Sequence, residues 1–208
     1  LKPVIFCDLA IRSATDTGVK LKSDGTVDAD WFVLCVAARV AQLVYILDLY
    51  RVQTTFPEQV KAIVRLHKQY KSWKVGVENT AYQWAFGQAV WEKGLPVIPI
   101  NVTKDKQARA ELVTPHFETG RVRLRGVMEN GVMLPHPSMR RFLEEAMDFP
   151  FGDHDDTVDA VVGAVQMCLD DEIQGQQPVG YHTKGYTVQS SSFISMGRDP
   201  FDAFHSRF

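Results

Sequence analysis

Residues 31–52, WFVLCVAARVAQLVYILDLYRV, hold two apolar runs, WFVLCVAARV from Trp31 and LVYILDLYRV from Leu43. Both are rich in β-branched and aromatic residues, which favour a pleated, half-buried surface. Backward along the chain, residues 3–10 (PVIFCDLA) form a shorter apolar run, and the polar, Gly-containing stretch at 12–30 reads as a loop or hairpin connection. Together these segments predict three adjacent strands in meander order.

Forward of them the period changes. FPEQVKAIVRLHKQY (56–70) carries Val60, Ile63, Val64 and His67 at helical spacing, with Pro57 suited to the first turn, and leads into a strand, KVGVEN (74–79). A second helix, AYQWAFGQAVWEKG, ends at Gly94, and LPVIPINV (95–102) is the next strand. KDKQARAELVTPHFETG (104–120) reads as a basic helix closed by Gly120, and RVRLRGVMENGVMLP (121–135) as a hairpin turning at Glu129-Asn130-Gly131. HPSMRRFLEEAMDF and DDTVDAVVGAVQMCLDD predict two final helices. The fold class is therefore α/β: a mixed central sheet, antiparallel in its first three strands and parallel in the later ones, with helices on both faces and an added hairpin. Residues 1–173 are expected to form the domain. Residues 174–208, where Gly, Gln, Ser and isolated aromatics take over, are expected to be a loosely ordered or partner-docking tail.

A formal net charge of -2 excludes binding to nucleic acid through an overall positive field and leaves only local basic patches. Cys7, Cys35 and Cys168 lie far apart in apolar runs, which suits buried thiols better than a disulfide or zinc site. No apolar run approaches the ~20 residues that span a bilayer, so no membrane partner is expected. A GxxxxGK[ST] loop, a GxGxxG after a strand and a GxSxG elbow are all missing. The start at Leu1, with a strand following almost at once, suggests a piece of a longer protein.

Three places carry acids that chemistry could use. Asp8 closes the first strand, where a lone aspartate is usually a turn or cap residue. Glu78 closes the strand after the first crossover, and strand ends are where open α/β sheets bind ligands. The run Gly152-Asp153-His154-Asp155-Asp156-Thr157-Val158-Asp159-Ala160 opens the last helix with four acids in seven residues. Capping takes one or two of these, and so many acids repel one another unless a cation neutralises them. Convergent carboxylates suit hard cations such as Mg²⁺ or Mn²⁺, two of which, ~3.5–4 Å apart, activate water and stabilise the leaving oxygen in phosphodiester cleavage. His154 is read as a supporting or substrate-contacting residue and not as a ligand. Lys104, Lys106 and Arg109 form one basic cluster; Arg121, Arg123 and Arg125 alternate along a strand and so share a face. Both are candidates for phosphate contacts, against the plainer reading of solvated faces. Tyr82, Trp84 and Trp91 read as core.

The order Asp8, then Glu78-Asn79, then His154-Asp155-Asp156-x-x-Asp159-Ala160 resembles the ribonuclease H-like nucleases. Thr103-Lys104-Asp105-Lys106-Gln107-Ala108-Arg109-Ala110 is similar to a Lys-Asp-Lys-x-x-Arg stretch of bacteriophage terminase large subunits, and the resemblance covers roughly residues 1–170. That resemblance implies a packaging nuclease that cuts double-stranded DNA with little sequence preference, with two Mg²⁺ or Mn²⁺ ions as cofactors. It makes Asp8, Glu78 and Asp156 the metal-binding catalytic acids, Asp155 or Asp159 a further ligand, and Asn79 and His154 supporting residues. It also implies an N-terminal packaging ATPase domain preceding this one, the portal and the small terminase subunit as partners, and the host-cell cytoplasm as location. Two other readings stand beside it: a Holliday-junction resolvase or transposase-like nuclease, and a non-catalytic module that binds DNA or portal.

Overall fold

The computed structural model describes residues 1–9, 31–78, 81–102 and 105–170. Asn79, Lys104, the Tyr82 side chain and the tail from 174 onward lie outside the described residues. Strands β1 (Pro3–Asp8), β2 (Phe32–Val40) and β3 (Leu43–Val52) are followed by α1 (Phe56–Tyr70), β4 (Lys74–Glu78), α2 (Ala81–Trp91), β5 (Val97–Ile100) and α3 (Lys106–Glu118). Then come β6 (Val122–Leu124), β7 (Gly126–Glu129), β8 (Val132–Pro135), a 3₁₀ turn (Pro137–Met139), α4 (Arg140–Asp148) and α5 (Asp156–Asp170).

The main sheet runs β5-β4-β1-β2-β3-β6. β2 is antiparallel to both β1 and β3, whereas β4 is parallel to β1, β5 to β4 and β6 to β3. The meander and the two crossovers follow the order that the periodicities predict. One segment differs. The expected hairpin over 121–135 divides: Val122–Leu124 joins the main sheet beside β3, and only β7 and β8 pair with each other. Asn130 and Gly131, both at positive φ, form the turn.

Strand alternation gives the sheet two apolar faces. Ile5, Cys7, Leu34, Val36, Val75 and Val77 pack against Val60, Ile63 and Leu66 of α1 and Phe86 and Val90 of α2. Phe86 meets Phe32 and Phe56 edge-on, with ring centroids 5.8 and 5.7 Å away. In α1 the buried stripe is Gln59, Val60, Ala62, Ile63 and Leu66, with Val64 and His67 at its margin. The opposite face, with Val4, Phe6, Val33, Cys35, Val44 and Ile46, is covered by α3, α4 and α5. All three cysteines are buried and unbridged. Trp84 and Trp91, expected in the core, are 40% and 41% exposed, because α2 turns other residues toward the sheet.

α5 lies hard against β1. An added Cβ at Gly163 would stand 2.5 Å from Cζ of Phe6, whose ring is buried. Gly163→Ala is therefore expected to cost stability although alanine is the better helix former by ~1 kcal/mol. Overpacking a closed core costs ~1–3 kcal/mol, so the net loss is about 1 kcal/mol, or roughly 2–4 °C in melting temperature. Thermal denaturation checks it, and a variant melting at or above the parent would show that the ring yields freely.

Candidate active site

The parity that buries Val4 and Phe6 against α5 also directs Asp8 to that face. Cys7 pairs with Val77, so Asp8 and Glu78, the next residues on the two parallel strands, lie side by side at their C-terminal ends. Asp8 pairs with Val33, and Val33 with Arg51. Glu78, Asp8, Val33 and Arg51 thus form a row across four strands, and α5 begins over that row. Its first turn brings Asp156 and Asp159, and Asp155 stands just before it.

The acids are interleaved with cations. Arg109 reaches Glu78 Oε1 from Nη1 at 3.3 Å and Asp159 Oδ1 from Nη2 at 3.2 Å, and so ties β4 to α5. Lys106 Nζ lies 2.9 Å from Asp155 Oδ1 and 2.6 Å from Asp159 Oδ2. Asp105 caps α3 by accepting from the Ala108 amide, which fixes the turn that presents both cations. Asp156 Oδ2 lies 3.4 Å from Arg51 Nη2 and 3.7 Å from His154 Nδ1.

These placements redraw part of the expected basic surface. Arg109 is buried and Lys106 is engaged by two aspartates, so neither is a freely projecting phosphate contact. Arg121, Arg123 and Arg125 are exposed as their alternation predicts. But β6 pairs with Val44–Ile46 at the start of β3, and β3 runs parallel to β1, so this strand belongs to the end of the sheet remote from Asp8. The offset along β3 to Arg51 is about 15 Å. Sequence reasoning missed Arg51 on a central strand and Glu145 in an amphipathic helix, because a lone charge in a strand and one glutamate among several helix charges carry no local signal.

Burial raises the Asp8 pKa well above the ordinary carboxylate range, and the neighbouring Asp159, Glu78 and Asp156 push it the same way. Burial likewise raises Asp156, against the pull of Arg51, and raises Asp159, against Lys106 and Arg109. Burial disfavours the Lys106 ammonium, yet its hydrogen bonds with Asp155 and Asp159 outweigh that and raise its pKa. Mutual repulsion at Asp8 persists even with these cations close by, which leaves negative charge for a further cation to neutralise.

The donor set, carboxylate oxygen throughout, fits a hard divalent ion. Among the described residues, no three His, Cys, Asp or Glu side chains already stand in a ready-made cage. The acids converge, but Lys106 and Arg109 occupy some of their oxygens. Lys106, with a half-exposed side chain, sits at the mouth; Arg109 is enclosed. Among the described residues no helix is long and apolar enough to cross a membrane.

Solved structures that share this fold include terminases. The large terminase nuclease of thermophilic phage G20c, solved with bound zinc, superposes with a TM-score of 0.50 at 20% identity, covering 66% of this chain and 74% of that one. The human cytomegalovirus terminase nuclease domain, soaked in Mn with an inhibitor bound, gives 0.54 at 13% identity over 80% and 82%. The large terminase of a second thermophilic bacteriophage gives 0.51 at 14% identity, with 81% of this chain covering 40% of that longer one. No curated protein matches the sequence. The family model described as the terminase RNaseH-like domain matches residues 14–168, from ahead of β2 into α5, and takes in all the acids named above except Asp8. The chain belongs to the family of terminase ribonuclease H-like domains.

Proposed function

We propose that this domain is a divalent-metal-dependent endonuclease that cuts double-stranded DNA with little sequence preference during viral genome packaging. The observation that carries the reading is the convergence of Asp8, Glu78, Asp156 and Asp159 on one face at the ends of β1 and β4 and the start of α5. Bound Mg²⁺ or Mn²⁺ would polarise the scissile phosphate, lower the pKa of the attacking water and stabilise the leaving oxygen.

Asp8, flanked by the other acids, would hold the divalent metal from the centre of the set. Glu78, held by Arg109, would supply a further carboxylate to it from the adjoining strand and face the attacking water. Asp156 and Asp159 complete the oxygen set, and Asp155 holds Lys106 at the mouth, where its ammonium can pass from carboxylate to backbone phosphate as DNA enters. Arg109 stays behind the acids and keeps β4 and α5 in register. Zinc in the G20c nuclease and Mn in the cytomegalovirus domain support divalent-ion use by this fold. The second phage's large terminase is longer than the part this chain covers, which supports a longer protein around this domain; a packaging ATPase ahead of it, with the portal and small subunit as partners, belongs to the same proposal.

Plasmid cleavage tests the reading directly. Supercoiled plasmid should be nicked and linearised with Mn²⁺ or Mg²⁺ and left intact with Ca²⁺ or EDTA, and a four-way junction should be cut no faster than plain duplex. Folded protein that binds plasmid without cutting it under any of these ions would refute the nuclease reading, while strong junction preference would favour a resolvase.

A further inference from the structure

Arg51 reaches the site because of an irregularity in β3. Val44 and Ile46 pack toward α5, and strict alternation would continue that face through residues 48, 50 and 52. The register between β2 and β3 shifts at Val36/Ala37: Val36 pairs with Asp48 and Ala37 with Ile46, so Leu47 is the extra residue. Leu47 itself packs toward α1; beyond it Tyr50 and Val52 do the same, Leu49 packs toward α5, and Arg51 falls on the α5 face. Bulges of this kind re-aim side chains, often beside active sites.

The re-aimed guanidinium is held on several sides. Its carbon lies 3.6 Å from the centroid of the Trp31 ring. Nη2 lies 3.5 Å from Glu145 Oε1 and 3.4 Å from Asp156 Oδ2. Glu145, 3% exposed, also receives Arg141 Nε on Oε1 at 3.0 Å, and its Oε2 accepts the Thr157 amide at 2.8 Å together with the Thr157 hydroxyl. One buried carboxylate therefore anchors both the backbone next to Asp156 and the guanidinium that contacts the Asp156 side chain. Arg51 and Arg141 oppose Glu145 and Asp156, two charges of each sign, so the assembly adds little net field. What Asp156 gains is direction.

We infer that Arg51, clamped between Trp31 and Glu145, is a positioning residue that orients the Asp156 carboxylate for divalent-cation binding. This rests on the reading of Asp156 as a metal ligand. A tie that only joined β3 to α4 would be complete with Glu145 alone; the second contact, to an acid at the mouth of the site, sets this arginine apart.

The test is Mn²⁺ binding to the whole chain, followed by the loss of the free-ion paramagnetic resonance signal, with melting in EDTA measured beside it. Arg51→Lys keeps the charge but loses the planar fork and the stacking surface. It should weaken Mn²⁺ binding about 10–100-fold, the usual cost of removing a residue that orients a metal ligand, and cleavage should recover at high Mn²⁺. Arg51→Ala should bind no better than Arg51→Lys, and added guanidinium should restore part of its affinity. Parental Mn²⁺ affinity in a folded Arg51→Lys, whatever its melting temperature, overturns the inference and leaves the nuclease reading standing. If the parent binds no Mn²⁺, or Asp8→Asn binds it as tightly as the parent, the metal-centre reading fails and takes this inference with it.

Discussion

Asp8→Asn should lower metal-supported plasmid cleavage by at least about a thousandfold and, in the same preparation, raise the melting temperature of the metal-free chain. The first effect follows from its place between Glu78 on the adjoining strand and the acids of α5. An amide there would be a poor substitute for a carboxylate as a ligand to a hard cation, and losing ~4 kcal/mol of metal-ion stabilisation of the transition state corresponds to a factor of ~1,000. The second effect comes from the same geometry. Burial and three neighbouring carboxylates raise the Asp8 pKa, so the folded chain holds that proton more tightly than the unfolded chain does.

The sign of the pH dependence follows by linkage. A raised aspartate pKa makes the ionised side chain a liability above that pKa, and the liability fades as pH falls toward the unfolded-state value near ~3.9. The gain from asparagine, about 1 kcal/mol or 2–4 °C near neutrality, should therefore shrink on acidification through that window. Saturating Mn²⁺ should reverse the order, because only the parent would offer the full set of proposed ligands. Cleavage assays and paired melts across pH check both parts. An Asp8→Asn chain that still cuts, or that melts below the parent without metal, would contradict the assignment of Asp8 as the central, unneutralised acid.

Arg109→Met should be the most destabilising single change at the site. Its side chain is 9% exposed, and it joins Glu78 and Asp159, which are 18% and 8% exposed. Removing one partner of a buried ion pair strands the others, at a typical cost of 3–5 kcal/mol; partial access of water to Glu78 places the expected loss at about 3 kcal/mol. Nε of Arg109 is buried without a partner among the described residues, which further limits what the arginine contributes. Without the opposing pull of Arg109, Asp159, already raised by burial, should titrate higher still, so the deficit should narrow as pH falls, and Mn²⁺ should recover part of it by replacing the missing charge. Denaturant unfolding with and without Mn²⁺ measures this. A loss below about 1 kcal/mol would place Arg109 among surface pairs of little consequence.

Much of the chemistry could be read locally. Asp8 closes an apolar run whose strand character is plain from its residues, which places it at a strand end before any partner strand is known. The run from Asp153 to Asp159 holds more acids than a helix start requires. Arg109 illustrates the limit of such reading. In sequence it belongs to a basic cluster with Lys104 and Lys106, and nothing local distinguishes a cation that faces DNA from one that turns inward onto carboxylates. Its direction depends on where α3 lies against α5, and their packing joins residues fifty positions apart, as in the Arg109–Asp159 pair.

The arginines at 121, 123 and 125 show the same limit. Alternation predicts that they share a face and are exposed, but it cannot tell which strand β6 will pair with, and pairing at the start of β3 removes them from the acids. Local periodicity, with turn and capping chemistry, determined the order of strands and helices, the strand-end place of Asp8 and the acidic start of α5, because these depend on residues a few positions apart. Only tertiary structure decided that β6 joins the main sheet, that Arg109 bridges two acids, and that the extra residue in β3 turns Arg51 onto Asp156. Each of these is set by register and packing between distant segments, and a slip of one residue in a strand reverses the face of every side chain beyond it.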